Sequence, residues 1–153
     1  MAVATASSKP GGPRADIRVL IVDDHALFRR GLREHLEASG VDVVGVAEDP
    51  AGAVAVAVET EPDVVLMEIR MPGGSGIEAT KRLLGAVPGV RVLMLTIAAD
   101  EDVVAKAIMA GACGYVLKDA GGDEILAAIA AAAGGESALS PRIASALIER
   151  VRE

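Results

Sequence analysis

Five side chains with the chemistry to hold a metal ion and a phosphoryl group stand at the ends of short apolar segments. They are Asp23, Asp24, Glu68, Thr96 and Lys118. Each segment before them is rich in Val, Ile, Leu or Met, as is typical of a buried strand. Three carboxylates in one place repel one another unless a cation joins them, and carboxylate oxygens suit Mg²⁺. A lysine ammonium and a threonine hydroxyl would add contacts for anionic oxygens, so the set indicates phosphoryl chemistry.

These residues meet only if the apolar segments are parallel strands of one sheet. Strands are predicted at 17–22, 41–47, just before Glu68, at 90–96 and at 114–118. Five helical segments alternate with them, and the links are too short for anything but βα units. This pattern predicts an α/β fold with a five-stranded parallel sheet, helices on both faces and right-handed crossovers. The carboxyl ends of such strands share one edge, where ligands bind.

The chain divides into three regions by composition. Residues 1–15 are rich in Ala, Ser, Pro and Gly and are predicted to be a disordered tail. Residues 16–135 hold the predicted α/β domain, and 136–153 contain a helix that starts at a Ser-Pro pair. That helix carries an apolar stripe, namely Ile143, Leu147 and Val151. Two alternatives stay open: a linker helix toward a domain absent from this chain, or a terminal helix packed on the same domain.

Composition excludes several classes of function. The formal charge is −7, and Phe28 and Tyr115 are the aromatic residues, so the chain offers neither a basic face nor a stacking platform for DNA. Its longest apolar run is far shorter than a membrane span of roughly 18 residues. Cys113 stands alone, so no internal disulfide can form. No Ser/His/Asp or Cys/His set is present for covalent catalysis. A cytoplasmic protein that is not an enzyme is therefore expected.

Four sequence blocks carry a resemblance to a known family. They are VLIVDDH at 19–25, LMEIRMP at 66–72 with Gly76 after it, LT at 95–96 and GACGYVLK at 111–118. Together they resemble the receiver domain of two-component response regulators, over about residues 16–135. The fold implied is flavodoxin-like, of the CheY-like receiver type. The DDH opening, the IRMP block and the LKD ending look most like the NarL/FixJ subfamily, in which a helix-turn-helix DNA-binding domain follows.

The resemblance implies a magnesium site. Asp24 would be a direct Mg²⁺ ligand, Asp23 would act through the outer shell, and the backbone carbonyl of Arg70 would also bind the metal. Glu68 stands at the position that completes this set. The cofactor expected from the resemblance is therefore Mg²⁺, bound in a manner altered by Glu68.

The resemblance also implies a switch and a set of partners. Thr96 and Lys118 would contact a phosphoryl group, and Tyr115 would change rotamer on activation together with Thr96. Expected partners are a second copy of the chain and, if the site is phosphorylated, a sensor histidine kinase. DNA would be bound through the output domain, which this sequence does not contain. No membrane partner is expected.

Glu68 departs from the family pattern, which has a phospho-accepting aspartate at this position. The longer side chain would carry its carboxylate further into the pocket, and in-line attack depends on placement within about an ångström. Three interpretations stay open: a phosphomimic, an atypical regulator that works without phosphorylation, or a disabled switch. Ser75 is a second departure, because the family usually has an acid there.

Two further hypotheses come from other classes. A Mg²⁺-dependent phosphatase or phosphotransferase on a similar sheet would also gather acids at strand ends. It predicts turnover of a phosphate ester that Glu68→Ala abolishes. A plain dimerisation module would instead associate without regard to Mg²⁺ or to the five site residues.

Overall fold

The computed structural model describes residues 17–97, 100–139 and 141–152. Strands in this part of the chain are β1 (Arg18–Val22), β2 (Asp42–Ala47), β3 (Val64–Met67), β4 (Arg70–Met71), β5 (Gly74–Ser75), β6 (Arg91–Thr96), β7 (Gly114–Leu117) and β8 (Ala138–Leu139). Helices are α1 (Ala26–Ala38), α2 (Pro50–Thr60), α3 (Gly76–Ala86), α4 (Glu101–Met109), α5 (Gly122–Ala133) and α6 (Pro141–Arg152). The predicted tail at 1–15 lies outside the described residues.

The main sheet is parallel, and its strand order is β2-β1-β3-β6-β7-β8. The α/β fold class and all five predicted strands are confirmed, but the predicted number of strands was wrong by one. The sixth strand, β8, has two residues and no apolar run to reveal it. It pairs with β7, where Gly114 lies opposite Ala138. The short β4 and β5 form a separate antiparallel pair after β3.

Apolar side chains cover both faces of the sheet. Along β1, Leu20 and Val22 belong to one core cluster, whereas Val19 and Ile21 belong to the other. The first face is covered by α2, α3, α4 and α6, and the second by α1 and α5. This burial on both sides explains why the parallel strands read as continuous apolar runs rather than alternating ones.

Short polar side chains begin several of the helices. Asp49 caps α2 by accepting a hydrogen bond from the backbone N–H of Gly52 at 2.7 Å, and Pro50 occupies the first helical position, as predicted. Ser75 caps α3 in the same way, and Asp100 caps α4. These caps fix where each helix leaves the sheet edge that carries the acidic residues.

The C-terminal segment packs on the domain. Ile143 of α6 is 2% exposed within the core cluster that α4 also joins. Arg150 near the end of α6 forms an ion pair with Asp102 of α4. Of the two alternatives for this helix, packing on the same domain is therefore observed, and its role as a linker stays a prediction. No helix in the described residues has the length and apolarity needed to cross a membrane.

Candidate functional site

The ends of four adjacent strands bring the predicted site residues to one edge. Asp23 follows β1, Glu68 follows β3, Thr96 ends β6 and Lys118 follows β7. The backbone N–H of Glu68 donates to the Val22 carbonyl at 3.0 Å, and that of Lys118 donates to the Thr96 carbonyl at 2.7 Å. The ladder between neighbouring strands thus continues one residue past the strand ends and fixes where these side chains start.

Lys118 joins two of the carboxylates. Its Nζ lies 2.5 Å from Asp23 Oδ2 and 2.8 Å from Glu68 Oε1. The three side chains are 7%, 2% and 6% exposed, so none is solvated in the ordinary way. Oδ2 of Asp23 has no hydrogen bond of good geometry. Its contact with Lys118 is therefore an ion pair rather than a hydrogen bond. Buried charges persist only when they are paired, and here one cation offsets two anions.

The surroundings of Lys118 favour its charged form. Burial alone would lower its pKa, but the contacts with Asp23 and Glu68 outweigh burial and raise the pKa above its ordinary value. The ammonium also lies 4.6 Å from the centre of the Phe28 ring on α1, within the range of a cation–π contact. Lys118 is therefore a fixed cation at neutral pH.

Both carboxylate oxygens of Glu68 are engaged. While Oε1 faces Lys118, Oε2 accepts a hydrogen bond from the backbone N–H of Ile69 at 2.7 Å. The backbone of Glu68 is held as well, because α3 begins directly against it at Gly76. A Cβ atom at Gly76 would overlap the Glu68 carbonyl oxygen, so only glycine fits there. The sequence pattern predicted that Glu68 and Lys118 lie close together, but it did not indicate the hydrogen bond from the Ile69 N–H.

Asp23, Asp24 and His25 place three potential ligand atoms within 4.8 Å of one another. Oδ1 of Asp23 accepts a hydrogen bond from the His25 backbone N–H at 2.8 Å, while His25 Nδ1 lies 3.6 Å from Asp24 Oδ1. That Asp24 oxygen is buried and has no hydrogen-bond partner among the described residues. An unsatisfied buried oxygen beside a second carboxylate is a donor set that fits a hard divalent cation such as Mg²⁺.

A cavity of about 160 Å³ opens beside Glu68. Residues at and just after the carboxyl ends of the strands, together with the start of α4, line it. They are His25, Glu68, Ile69, Arg70, Thr96, Ile97, Asp100, Val103 and Tyr115. The structure thus brings Thr96 and Tyr115 to the same cavity as Glu68. Sequence reasoning assigned no site role to Asp100, although its place in the segment between the end of β6 and the start of α4 was a usable signal. The proposed metal contact of the Arg70 carbonyl stays a prediction.

Tyr115 is fully buried and faces this cavity. Loss of solvent is the main cause that raises its pKa to about 12, and the negative charges of Glu68 and Asp100 add to the rise. The guanidinium of Arg70 acts in the opposite direction. Tyr115 therefore keeps its hydroxyl proton at neutral pH.

Comparison with known proteins supports the resemblance to receiver domains along most of the chain. The response regulator receiver domain family matches residues 19–130. The chain is 42% identical over 137 residues to the transcriptional regulatory protein LiaR of Bacillus subtilis. The alignment covers 89% of this chain and 65% of LiaR. It is 41% identical over 137 residues to the DNA-binding transcriptional activator DevR/DosR of Mycobacterium tuberculosis, and that alignment covers 89% of this chain and 63% of DevR/DosR. The chain thus spans less than two thirds of these relatives.

Solved structures share the fold. A two-component response regulator of the LuxR family from Aurantimonas sp. SI85-9A1 superposes with a TM-score of 0.82 at 38% identity, covering 89% of this chain and 98% of that one. The signal receiver domain of NarL from Mycobacterium tuberculosis gives 0.76 at 37% identity, covering 79% and 98%. RcsB, in a structure of two dimers bound to two parallel DNAs, gives 0.78 at 26% identity, covering 87% and 68%.

The resemblance to NarL-type receivers is therefore confirmed, whereas the individual roles of the site residues stay predictions. The matched region contains every residue of the buried cluster, from Asp23 to Lys118. By sequence and by fold, this chain belongs to the response regulator receiver domain family.

Proposed function

We propose that this chain is the signal-input module of a two-component response regulator that controls a DNA-binding output domain. DevR/DosR, a DNA-binding transcriptional activator, and LiaR, a transcriptional regulatory protein, support this proposal, since both extend well beyond the length matched here. The chain itself, with a formal charge of −7, is unsuited to hold DNA. The RcsB dimers on DNA support a second copy of the chain as a partner.

Asp23 and Asp24 are the residues proposed to hold Mg²⁺, together with Glu68 and the Arg70 carbonyl. Three carboxylates and one ammonium leave two negative charges in the cluster of Asp23, Asp24, Glu68 and Lys118. A divalent cation would balance them, and the buried Asp24 oxygen without a partner supports its place. When bound, the metal would neutralise and orient anionic oxygens such as those of a phosphoryl group.

We further propose that the module works without transfer of a phosphoryl group to Glu68. The observation that carries this proposal is the engagement of both Glu68 oxygens, one by Lys118 at 2.8 Å and one by the Ile69 N–H at 2.7 Å. The carboxylate already makes the contact with Lys118 that the family resemblance assigns to a phosphoryl group. It supplies one charge and two oxygens, against nearly two charges and three oxygens for phosphate. Glu68 would thus replace the modification only in part.

Intact mass after incubation with Mg²⁺ and acetyl phosphate tests this function. The native chain is compared with Glu68→Asp, which shortens the side chain by one methylene, and with Glu68→Gln, which cannot accept the group. We expect Glu68→Asp alone to gain one phosphoryl group, because its carboxylate is withdrawn to a position suited to attack.

Two results would each contradict one part of the proposal, the first the absence of transfer to Glu68 and the second the phosphoryl-binding pocket. Labelling of the native chain at residue 68 would show that Glu68 is an ordinary acceptor. Failure of Glu68→Asp to gain any label, with its fold intact by circular dichroism, would show that the pocket is not suited to phosphoryl chemistry at all.

A further inference from the structure

Each polar group of Asp23 makes a contact that fixes it at the end of β1. Its backbone N–H donates to the Ala47 carbonyl on β2 at 3.0 Å. In its carboxylate, Oδ1 accepts a hydrogen bond from the His25 backbone N–H at 2.8 Å, and Oδ2 lies 2.5 Å from Lys118 Nζ. The carbonyl oxygen is the remaining group, and Nη1 of Arg29 on α1 donates to it at 2.5 Å. Arg29 thus completes the set of contacts that holds this residue.

Arg29 contacts the acidic loop on both sides of Asp24. Besides the bond from its guanidinium to the Asp23 carbonyl, its backbone N–H donates to the His25 carbonyl at 2.9 Å in the first turn of α1. These two carbonyls belong to the residues directly before and after Asp24. Because a peptide unit is rigid and planar, the orientation of the Asp23 carbonyl sets the direction in which the backbone of Asp24 leaves the strand. The guanidinium therefore acts on the position of Asp24 through the backbone.

The side chain of Asp24 depends on that backbone for its position. Its Oδ1 is buried and has no hydrogen-bond partner among the described residues. Since no hydrogen bond fixes this oxygen, the backbone largely sets where it lies. Mg²⁺ demands near-ideal octahedral geometry, so a displaced ligand oxygen binds it less well. Control of the Asp24 backbone is thus control of the proposed metal site.

The Asp23 carbonyl is a group that needs an outside partner. Asp23 is 1% exposed, and its carbonyl lies beyond the last residue of β1. Buried backbone carbonyls are nearly always hydrogen-bonded, because water cannot replace a missing partner. The guanidinium of Arg29 supplies this bond from a neighbouring helix. Without it, the peptide unit between residues 23 and 24 would turn toward another donor.

We propose that Arg29 is a positioning residue for the metal site, which holds the Asp23 carbonyl so that Asp24 presents its buried oxygen to Mg²⁺. This inference rests on the proposed function of the acidic edge as a place for Mg²⁺. The charge of Arg29 by itself has the opposite effect, since a guanidinium beside the acidic loop repels a second cation. Loss of charge alone would strengthen Mg²⁺ binding, whereas loss of positioning weakens it.

Calorimetric titration with Mg²⁺ and, separately, with Ca²⁺ tests this role. Arg29→Met keeps an unbranched side chain with good helix propensity but lacks the donor. We expect its Mg²⁺ affinity to fall by about tenfold, the low end of the loss seen when outer partners of a metal site are removed. The loss for Ca²⁺ should be smaller, because Ca²⁺ accepts flexible coordination. The ratio of the two affinities therefore reports positioning rather than general damage to the fold.

Two further variants control the measurement. Arg30→Met removes the same charge from an exposed neighbour on α1, so it should bind both ions as the native chain does or slightly more tightly. Arg29→Gln has its amide nitrogen at the place of the arginine Nε, so it falls short of the Asp23 carbonyl. It should repeat the loss for Mg²⁺, and it carries the test if circular dichroism shows that Arg29→Met is unfolded.

The possible failures are distinguishable. If the native chain binds Mg²⁺ and the Arg29 variants bind it equally or more tightly, the positioning role is overturned and the proposed metal site stands. An equal loss for Mg²⁺ and Ca²⁺, or loss of the fold in both variants, would also overturn it, because Arg29 would then serve the fold as a whole. If the native chain binds no Mg²⁺, the proposed site fails, and the role of Arg29 fails with it.

Discussion

The carboxyl edge of the sheet and the outer faces of the helices both carry ion pairs, but in contrasting surroundings. At the sheet edge, Lys118 lies within 2.8 Å of Asp23 and Glu68, and all three side chains are below 10% exposed. On α1, Arg33 lies 3.2 Å from Glu37, with 43% and 48% exposed. The atoms involved are similar, so burial is what separates the two regions.

That difference sets the consequence of losing one partner. An exposed pair exchanges its partner for water and contributes about 0–1 kcal/mol. A buried cluster cannot do so, because removal of its cation leaves carboxylates in a medium that solvates them poorly. The buried cluster is therefore a weak source of net stability and, at the same time, highly sensitive to mutation.

Lys118→Met should give the largest effect. The variant keeps most of the side-chain volume but leaves Asp23 and Glu68 without their cation, which is expected to lower the free energy of unfolding by about 3–5 kcal/mol. Urea denaturation in the presence of a chelator measures this loss, and added Mg²⁺ should restore part of it. Because the pKa of Lys118 is raised, this contribution to stability should be complete below the ordinary pKa of lysine and should be lost as pH rises through the raised pKa.

Lys81→Met is the matched control, since Lys81 on α3 pairs with Glu78 at 3.4 Å while 57% exposed. We expect a change of at most about 1 kcal/mol for it. If Lys118→Met and Lys81→Met lower the free energy of unfolding equally, burial does not make the ion pairs at the sheet edge more sensitive to mutation than those on the helices.

The ionisation of Tyr115 should give a smaller but cleaner effect. Because Tyr115 is the one tyrosine and the chain has no tryptophan, phenolate absorbance reports it alone. We expect the folded chain to titrate near pH 12, against about 10 in urea. The folded state holds this proton more tightly, so stability should be unaffected below pH 10 and should fall as pH rises from about 10 to 12.

Glu68→Gln sharpens the same measurement. Removal of the Glu68 charge should lower the pKa of Tyr115 in the folded chain, but not to its ordinary value, because burial is the larger cause and remains. An unchanged titration in this variant would show that the Glu68 carboxylate does not act on Tyr115 as described.

Much of the sheet edge could be predicted from sequence. Buried parallel strands are continuous apolar runs, and a charged residue after such a run must lie at the edge, as Asp23, Glu68 and Lys118 do. The strand β8 could not be predicted, because Ala138 and Leu139 form no pattern of their own. Their pairing depends on a missing side chain at Gly114, which is a property of three dimensions rather than of local composition.

Sequence reasoning could not show which donor each carboxylate oxygen of Glu68 would take. Its position predicted a meeting with the acids, Thr96 and Lys118, but several donors compete for two oxygens. The structure gives one oxygen to Lys118 and the other to the N–H of Ile69, its own neighbour. The partner of each oxygen depends on small differences in backbone position, which residue spacing in the sequence does not determine.

Calorimetric titration with Mg²⁺ is the most direct test that the acidic edge is a functional site. We expect saturable binding to the native chain and a loss of at least about tenfold in affinity for Asp24→Asn, since even outer partners of metal ligands typically cause a loss of that size. Asp42→Asn, at an exposed acid where β2 begins at the opposite edge of the sheet, should bind like the native chain. No binding to the native chain, or equal binding to both variants, would contradict the account.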